Sequence, residues 1–162
     1  MPSQVLTTQT LGVDTFVALL RAHAEVTREL NGRLSAQHGL TLSDFEVLLR
    51  LARAPERRLR RVDLATQVLL TASGITRLLD GLERQGYVER AACDSDRRVV
   101  YAVLTDRGLE KLVEAAATHF AEVEALFGSR FDDAELDELG ALLTRLTSDG
   151  TPDCAAPDEA AA

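Results

Sequence analysis

The 162 residues predict a mainly α-helical chain with a small β component, an α+β class. Three observations carry that expectation. Apolar residues recur at helical spacing over most of the chain. Two short helical stripes are separated by the polar run Thr71-Ala72-Ser73-Gly74. After Gly86 the period switches to two β-branched, aromatic-rich runs around a polar tip. Helix, turn, helix and hairpin in that order make a winged helix-turn-helix, and the flanking N- and C-terminal helices are left to form a dimerisation region.

Residues 1–11 are polar and aperiodic, either loose or a short arm that wraps a partner subunit. From Val13 the pattern is helical through Phe16, Val17, Leu20, Ala24, Leu30 and Leu34, with a bend allowed at Asn31-Gly32 and a stop at Gly39. Ser43 and Glu46 have the spacing of a capping box for the next helix, which buries Phe45, Val47, Leu48 and Leu51 and ends before Pro55. Arg57-Arg58-Leu59-Arg60-Arg61 follows, a solvated loop or a set of phosphate contacts. Val62, Leu64, Ala65 and Val68 make the apolar face of the first short helix. Ile75, Leu78, Leu79 and Leu82 make the stripe of the second, with Ser73 as its N-cap and Gly86 as its stop. Tyr87–Arg90 and Val99–Leu104 read as strands, joined by the tip Cys93–Arg98.

After the hairpin, Thr105 can cap a long helix whose stripe is Leu109, Leu112, Val113, Ala116, Phe120, Val123 and Phe127. Asp132 or Asp133 caps a last helix with Leu136, Leu139, Leu142, Leu143 and Leu146 on one face. Such stripes serve a monomer core or an interface. With no sheet for these helices to cover, pairing with the first helix and with a second chain is the economical solution. The dimer helices are placed at about 12–37 and 106–147, the DNA-binding core at about 41–105, and a disordered tail at 148–162.

Each part of the central segment has a use on a DNA duplex. The start of the second helix carries small or polar groups: Thr71, Ser73, Gly74, Thr76 and Arg77. Hydroxyls and a guanidinium can meet base edges or phosphates in the major groove. Arg97 and Arg98 stand at the hairpin tip, where a narrow minor groove would attract them. Asp96 would repel phosphate unless it holds one of these arginines and aims it. The alternative there is a plain solvated turn.

Net charge is −8, but its distribution favours this use. Residues 50–101 hold 11 arginines against 7 acids, a net of +4, whereas the remainder carries −12. Screening acts over about 8–10 Å, so the local balance governs the field at a phosphate backbone.

These residues also carry a family resemblance. LLTASGITRLLDGLERQGYVER followed by DSDRRVVYAVLTDRG resembles the core of the multiple-antibiotic-resistance regulator (MarR) family. The family's wing pattern of Asp, any residue, Arg, a strand, then Leu-Thr and Gly is met by Asp96, Arg97, Arg98, Val99 to Val103, Leu104, Thr105 and Gly108. The resemblance covers roughly residues 12–147. It implies a homodimeric transcription factor, usually a repressor, often released from double-stranded DNA by a small ligand or by thiol oxidation. It favours Arg98 as the groove residue and leaves Arg97 near phosphate. It also places an effector pocket, for a small aromatic or phenolic ligand, between the winged domain and the dimer helices.

Other chemistries find little support. His23, His38 and His119 are dispersed, so no metal site is expected. There is no Gly-rich phosphate loop, no nucleophile–base pair and no cofactor motif, and the chain is not expected to be an enzyme. Cys93, at the base of the wing, is a thiol-sensing candidate or an inert thiol. A winged protein-interaction module without DNA binding is a further alternative, favoured by the acidic balance. No membrane span and no signal peptide are apparent, which predicts a cytoplasmic location.

Overall fold

The computed structural model describes residues 10–68, 71–92 and 99–146. Its contacts divide it into two compact units, one reaching to Phe120 and the other beginning at Ala121.

The first unit opens with α1 (Leu11–His38), one continuous helix through Asn31-Gly32. Asn31 does not break its own helix, because its Oδ1 accepts the Leu42 N–H of the next helix at 2.9 Å. Gly39, at φ 67°, ends α1 in the left-handed region that glycine adopts without strain. The capping box of α2 (Leu42–Arg53) lies two residues before the expected pair. Thr41 accepts from Asp44 N–H at 3.1 Å, and the Asp44 carboxylate accepts from Thr41 N–H at 2.9 Å. Ser43 is already helical and cannot take the extended dihedrals of a cap. As expected, α2 buries Phe45, Val47, Leu48 and Leu51.

A tight turn at Pro55–Arg57 leads into β1 (Arg58–Arg60), a strand that the arginine run had concealed. Glu56 and Arg57 both sit at φ 53°, left-handed positions held by residues with a Cβ. Glu56→Gly is expected to stabilise the protein by about 0.5–1 kcal/mol, since relief of this strain exceeds the loss of an exposed ion pair with Arg58. Thermal unfolding checks it against Glu56→Ala, which keeps the strain and should bring no gain.

The helix-turn-helix follows as α3 (Arg61–Gln67) and α4 (Ala72–Arg84). Leu64, Ala65 and Val68 are buried, but Val62 is 71% exposed. The face of so short a helix has room for fewer residues than the sequence pattern offered. From α4, Ile75, Leu79 and Leu82 enter the core and Leu78 packs at its edge. Gly86, at φ 74°, makes the expected stop.

The strands β2 (Val88–Ala92) and β3 (Val100–Leu104) form the hairpin. The sheet is antiparallel with order β1-β3-β2. Its register pairs Arg58 with Val103 on one side of β3, and Val88 with Leu104 on the other. Val88, Ala102 and Leu104 join the helical core.

One joint ties the hairpin to α5 (Asp106–Gly128). Thr105 Oγ1 accepts the Gly108 N–H at 3.0 Å, which makes it the expected cap. The same hydroxyl lies 2.8 Å from Gly86 O and 3.1 Å from Tyr87 O, to which it can donate. Gly108 packs so closely on the Tyr87 carbonyl that a Cβ would fall 2.1 Å from its oxygen. This contact sets the rotation of α5. Residues four, seven and eleven positions on, Leu112, Ala115 and His119, therefore face inward and are buried. Of the expected stripe, Leu112 is buried and Leu109 and Ala116 pack on the core, whereas Val113 is 63% and Phe120 40% exposed in the single chain.

His119 stacks on Phe45 with 4.8 Å between ring centroids. His38 Nε2 lies 2.5 Å from Thr118 Oγ1 and ties the end of α1 to α5. Beside it, Lys111 donates to Glu114 and holds that carboxyl below its usual range, with a smaller contribution from His38. Phe45 and Leu112 belong to the core.

The second unit contains the end of α5, with Leu126 buried, and α6 (Asp133–Thr144). Of the two possible caps Asp132 is used, in a reciprocal box with Glu135. No residue of α6 is buried, and Leu142, Leu143 and, beyond its end, Leu146 are exposed.

Candidate nucleic-acid interface

Local chemistry shapes the exposed start of α4. Thr71, extended at φ −70° and ψ 158°, caps the helix by accepting from Gly74 N–H at 3.1 Å. The cap is therefore Thr71 rather than Ser73, whose hydroxyl lies 3.2 Å from that of Thr71. The substitution of roles follows from length. α4 begins at Ala72, so Ser73 is inside its first turn and cannot adopt a cap's backbone. Thr71, Ser73 and Arg77 are exposed, and Gly74 and Thr76 are half-buried. The structure thus brings together these five sequence-predicted residues on two turns of one helix end. That end also carries the partial positive charge of unsatisfied N–H groups. Asp96, Arg97, Arg98 and Cys93 lie outside the described residues.

The arginine run is corrected from loop to edge strand. Three of its side chains lie against acids: Arg57 on Asp106 at 3.0 Å, Arg58 on Glu56 at 2.5 Å, and Arg60 on Asp63 through two bonds of 2.6 and 3.1 Å. The Asp63 bonds hold the Arg60 guanidinium above its ordinary pKa. Arg58 also lies over the Tyr101 ring, 5.2 Å from its centroid. Arg61, the first residue of α3, is exposed. A period-two pattern was present in Arg58-Leu59-Arg60, where only Leu59 turns inward, and could have revealed the strand.

Arg90, read from the sequence as a strand residue, makes a contact with α4 that the sequence did not signal. From β2 its Nη2 donates to Asp80 Oδ1 and its Nε lies 3.0 Å from Glu83 Oε2 in an ion pair, both acids being on α4. Arg61, Thr76, Glu83, Arg90 and Tyr101 line the polar side of a shallow cleft between α4 and the sheet. No pattern of local spacing signals this contact, because the partners belong to different elements.

Comparison with known proteins decides the family. The HTH-type transcriptional repressor YetL of Bacillus subtilis is 34% identical over 116 residues, 69% of this chain and 69% of the relative. AbsC, a MarR family transcriptional regulator from Streptomyces coelicolor, is 34% identical, with a TM-score of 0.72 over 86% of this chain and 95% of that one. The chain belongs to the MarR family. The MarR family model matches residues 38–99, from the end of α1 to the residue before β3. Another MarR structure, Sco3205 from Streptomyces coelicolor in complex with DNA, is 29% identical with a TM-score of 0.76, covering 82% of each chain. Like its MarR relatives, this chain is a transcriptional regulator with a winged helix fold.

Proposed function

We propose that this MarR regulator is a homodimeric repressor that binds a palindromic operator in double-stranded DNA and is released by a small-molecule effector. The observation that carries the DNA reading is the start of α4. There Thr71, Ser73 and Arg77 are exposed, with Gly74 and Thr76 half-buried beside them, so that small polar groups and a cation share one helix end. The complex of Sco3205 with DNA supports it. Asp96, Arg97 and Arg98 complete the site at the wing, Asp96 as the group that aims an arginine into the minor groove.

Two exposed apolar faces support a dimer. Leu11, Val13, Phe16, Val17 and Leu20 are exposed on α1, and Leu142 and Leu143 on α6. Faces of this kind, rich in leucine, valine and phenylalanine, are what a second copy covers. The dimer region is assigned to residues 12–37 and 106–147, the DNA-binding core to 41–105, and the arm and tail to 1–11 and 148–162. A small aromatic or phenolic compound is the proposed effector class. Among the described residues no helix is long and apolar enough to cross a membrane, and a cytoplasmic location goes with the DNA reading.

Selection from random duplexes tests the proposal. It is expected to return an inverted repeat with half-site centres about 34 Å, or 10 base pairs, apart. Affinity should fall steeply with salt, as several phosphates are neutralised. A single unrepeated half-site, or a monomer in sedimentation at micromolar concentration, counts against the dimer. No affinity for any duplex at low salt, with a stable protein partner instead, would favour an interaction module.

A further inference from the structure

A winged domain must place two elements on a duplex at once: the start of α4 and the hairpin tip. Arg90 joins the two supports. It lies on β2 opposite Ala102 of β3, and its guanidinium reaches Asp80 through Nη2 and Glu83 through Nε. Asp80 and Glu83 follow Thr76 by four and seven residues, so all three run along one flank of α4. The cleft between that flank and the sheet is lined by Thr76, Glu83 and Arg90 together. A guanidinium that meets two carboxylates through two different nitrogens, one by a hydrogen bond and one by an ion pair, is held in plane as well as in position, which a lysine ammonium cannot reproduce. The same contact offsets about half of the charge of two carboxylates that would otherwise repel phosphate beside Thr76.

We propose that Arg90 is a positioning residue. It latches the hairpin to α4, so that the wing arginines and the major-groove residues meet their grooves in one register. This rests on the duplex-binding reading. The competing role for Arg90 is a direct contact with phosphate.

The test uses the full chain on its selected operator, with affinity measured over a series of salt concentrations and folding checked by thermal melting. Arg90→Ala is expected to weaken binding roughly tenfold, as two latches compound over a dimer. The salt slope should be unchanged, because no phosphate contact is lost. Arg90→Lys should recover only part of the loss. The double variant Asp80→Asn with Glu83→Gln should also weaken binding, although it removes negative charge near DNA. Adding Arg90→Ala to that double variant should bring no further loss. Hydroxyl-radical footprints should lose protection in the flanks and keep it in the half-sites. A salt slope reduced by about one per protomer in Arg90→Ala would assign the residue to phosphate instead. Tighter binding by the Asp80/Glu83 variant, additive effects, or unchanged affinity in both variants overturns the latch. Should Arg90→Ala fail to fold, the Asp80/Glu83 variant decides by the sign of its effect. Failure of the unmodified chain to bind any duplex overturns the duplex reading rather than the latch.

Discussion

Gly108→Ala is expected to destabilise the protein by about 3 kcal/mol or more, a large share of a domain's usual margin of about 5–15 kcal/mol. The added Cβ would lie 2.1 Å from Tyr87 O, 2.9 Å from Tyr87 C and 2.8 Å from a methyl of Leu104. Two of these atoms are backbone, and that backbone is held. Tyr87 N–H donates to Leu82 O at 3.0 Å, and Tyr87 O accepts the Thr105 N–H at 3.1 Å. Relief therefore requires α5 to move away from the hairpin, which breaks the Thr105 cap and uncovers Leu112 and Ala115. Urea unfolding checks the loss, with Gly140→Ala as the control. Gly140 lies within α6, and a Cβ added there would meet nothing within 4 Å, so alanine should gain up to about 1 kcal/mol. A Gly108→Ala protein within about 0.5 kcal/mol of the parent would show that the joint yields easily.

Arg77→Ala is expected to cause the largest loss of operator affinity. The Thr71 hydroxyl is committed to the cap, and Gly74 N–H is committed to Thr71. Arg77 is exposed on the next turn with a long, charged reach. A bidentate contact to guanine discriminates by about 1–3 kcal/mol, so loss on two half-sites amounts to about 2–6 kcal/mol and relaxes preference at one base pair in each. Arg98→Ala should differ in kind. It should reduce the salt slope by about one per protomer and blunt the preference for narrow, A·T-rich flanks. Asp96→Ala should weaken binding despite removing an acid, because an aimed arginine loses its support. Titrations against operators mutated one pair at a time check all three. An Arg77→Ala protein with unaltered base preference, or tighter binding by Asp96→Ala, would remove these residues from their proposed roles.

The helices were legible where neighbours a few residues apart decide the outcome. The stops at Gly39 and Gly86, the core faces of α2 and α4, and the cap at Thr105 all follow from local spacing. The caps of α2 and α4 were each displaced by two residues, because Thr41-Leu42-Ser43 and Thr71-Ala72-Ser73 each offer two hydroxyls. Either hydroxyl can accept from an amide three residues on, and the choice rests on which residue the preceding chain leaves extended. In α5 periodicity gave one broad stripe, and it has no means to say which of its residues a close contact at Gly108 turns inward.

By itself the sequence determined the order of helices and strands, the hydroxyl-rich start of α4, and the Leu-Thr-x-x-Gly pattern after the hairpin. These depend on propensities and contacts within a turn or two. Tertiary structure decided the rest: β1 on the edge of β3, Arg57 against Asp106, Arg90 between Asp80 and Glu83, and the rotation of α5 about Gly108. Each of these joins groups from different elements. A charge or a glycine specifies such a partner only after the chain has brought the two within a few ångströms, where sterics and Coulomb attraction become strong enough to select.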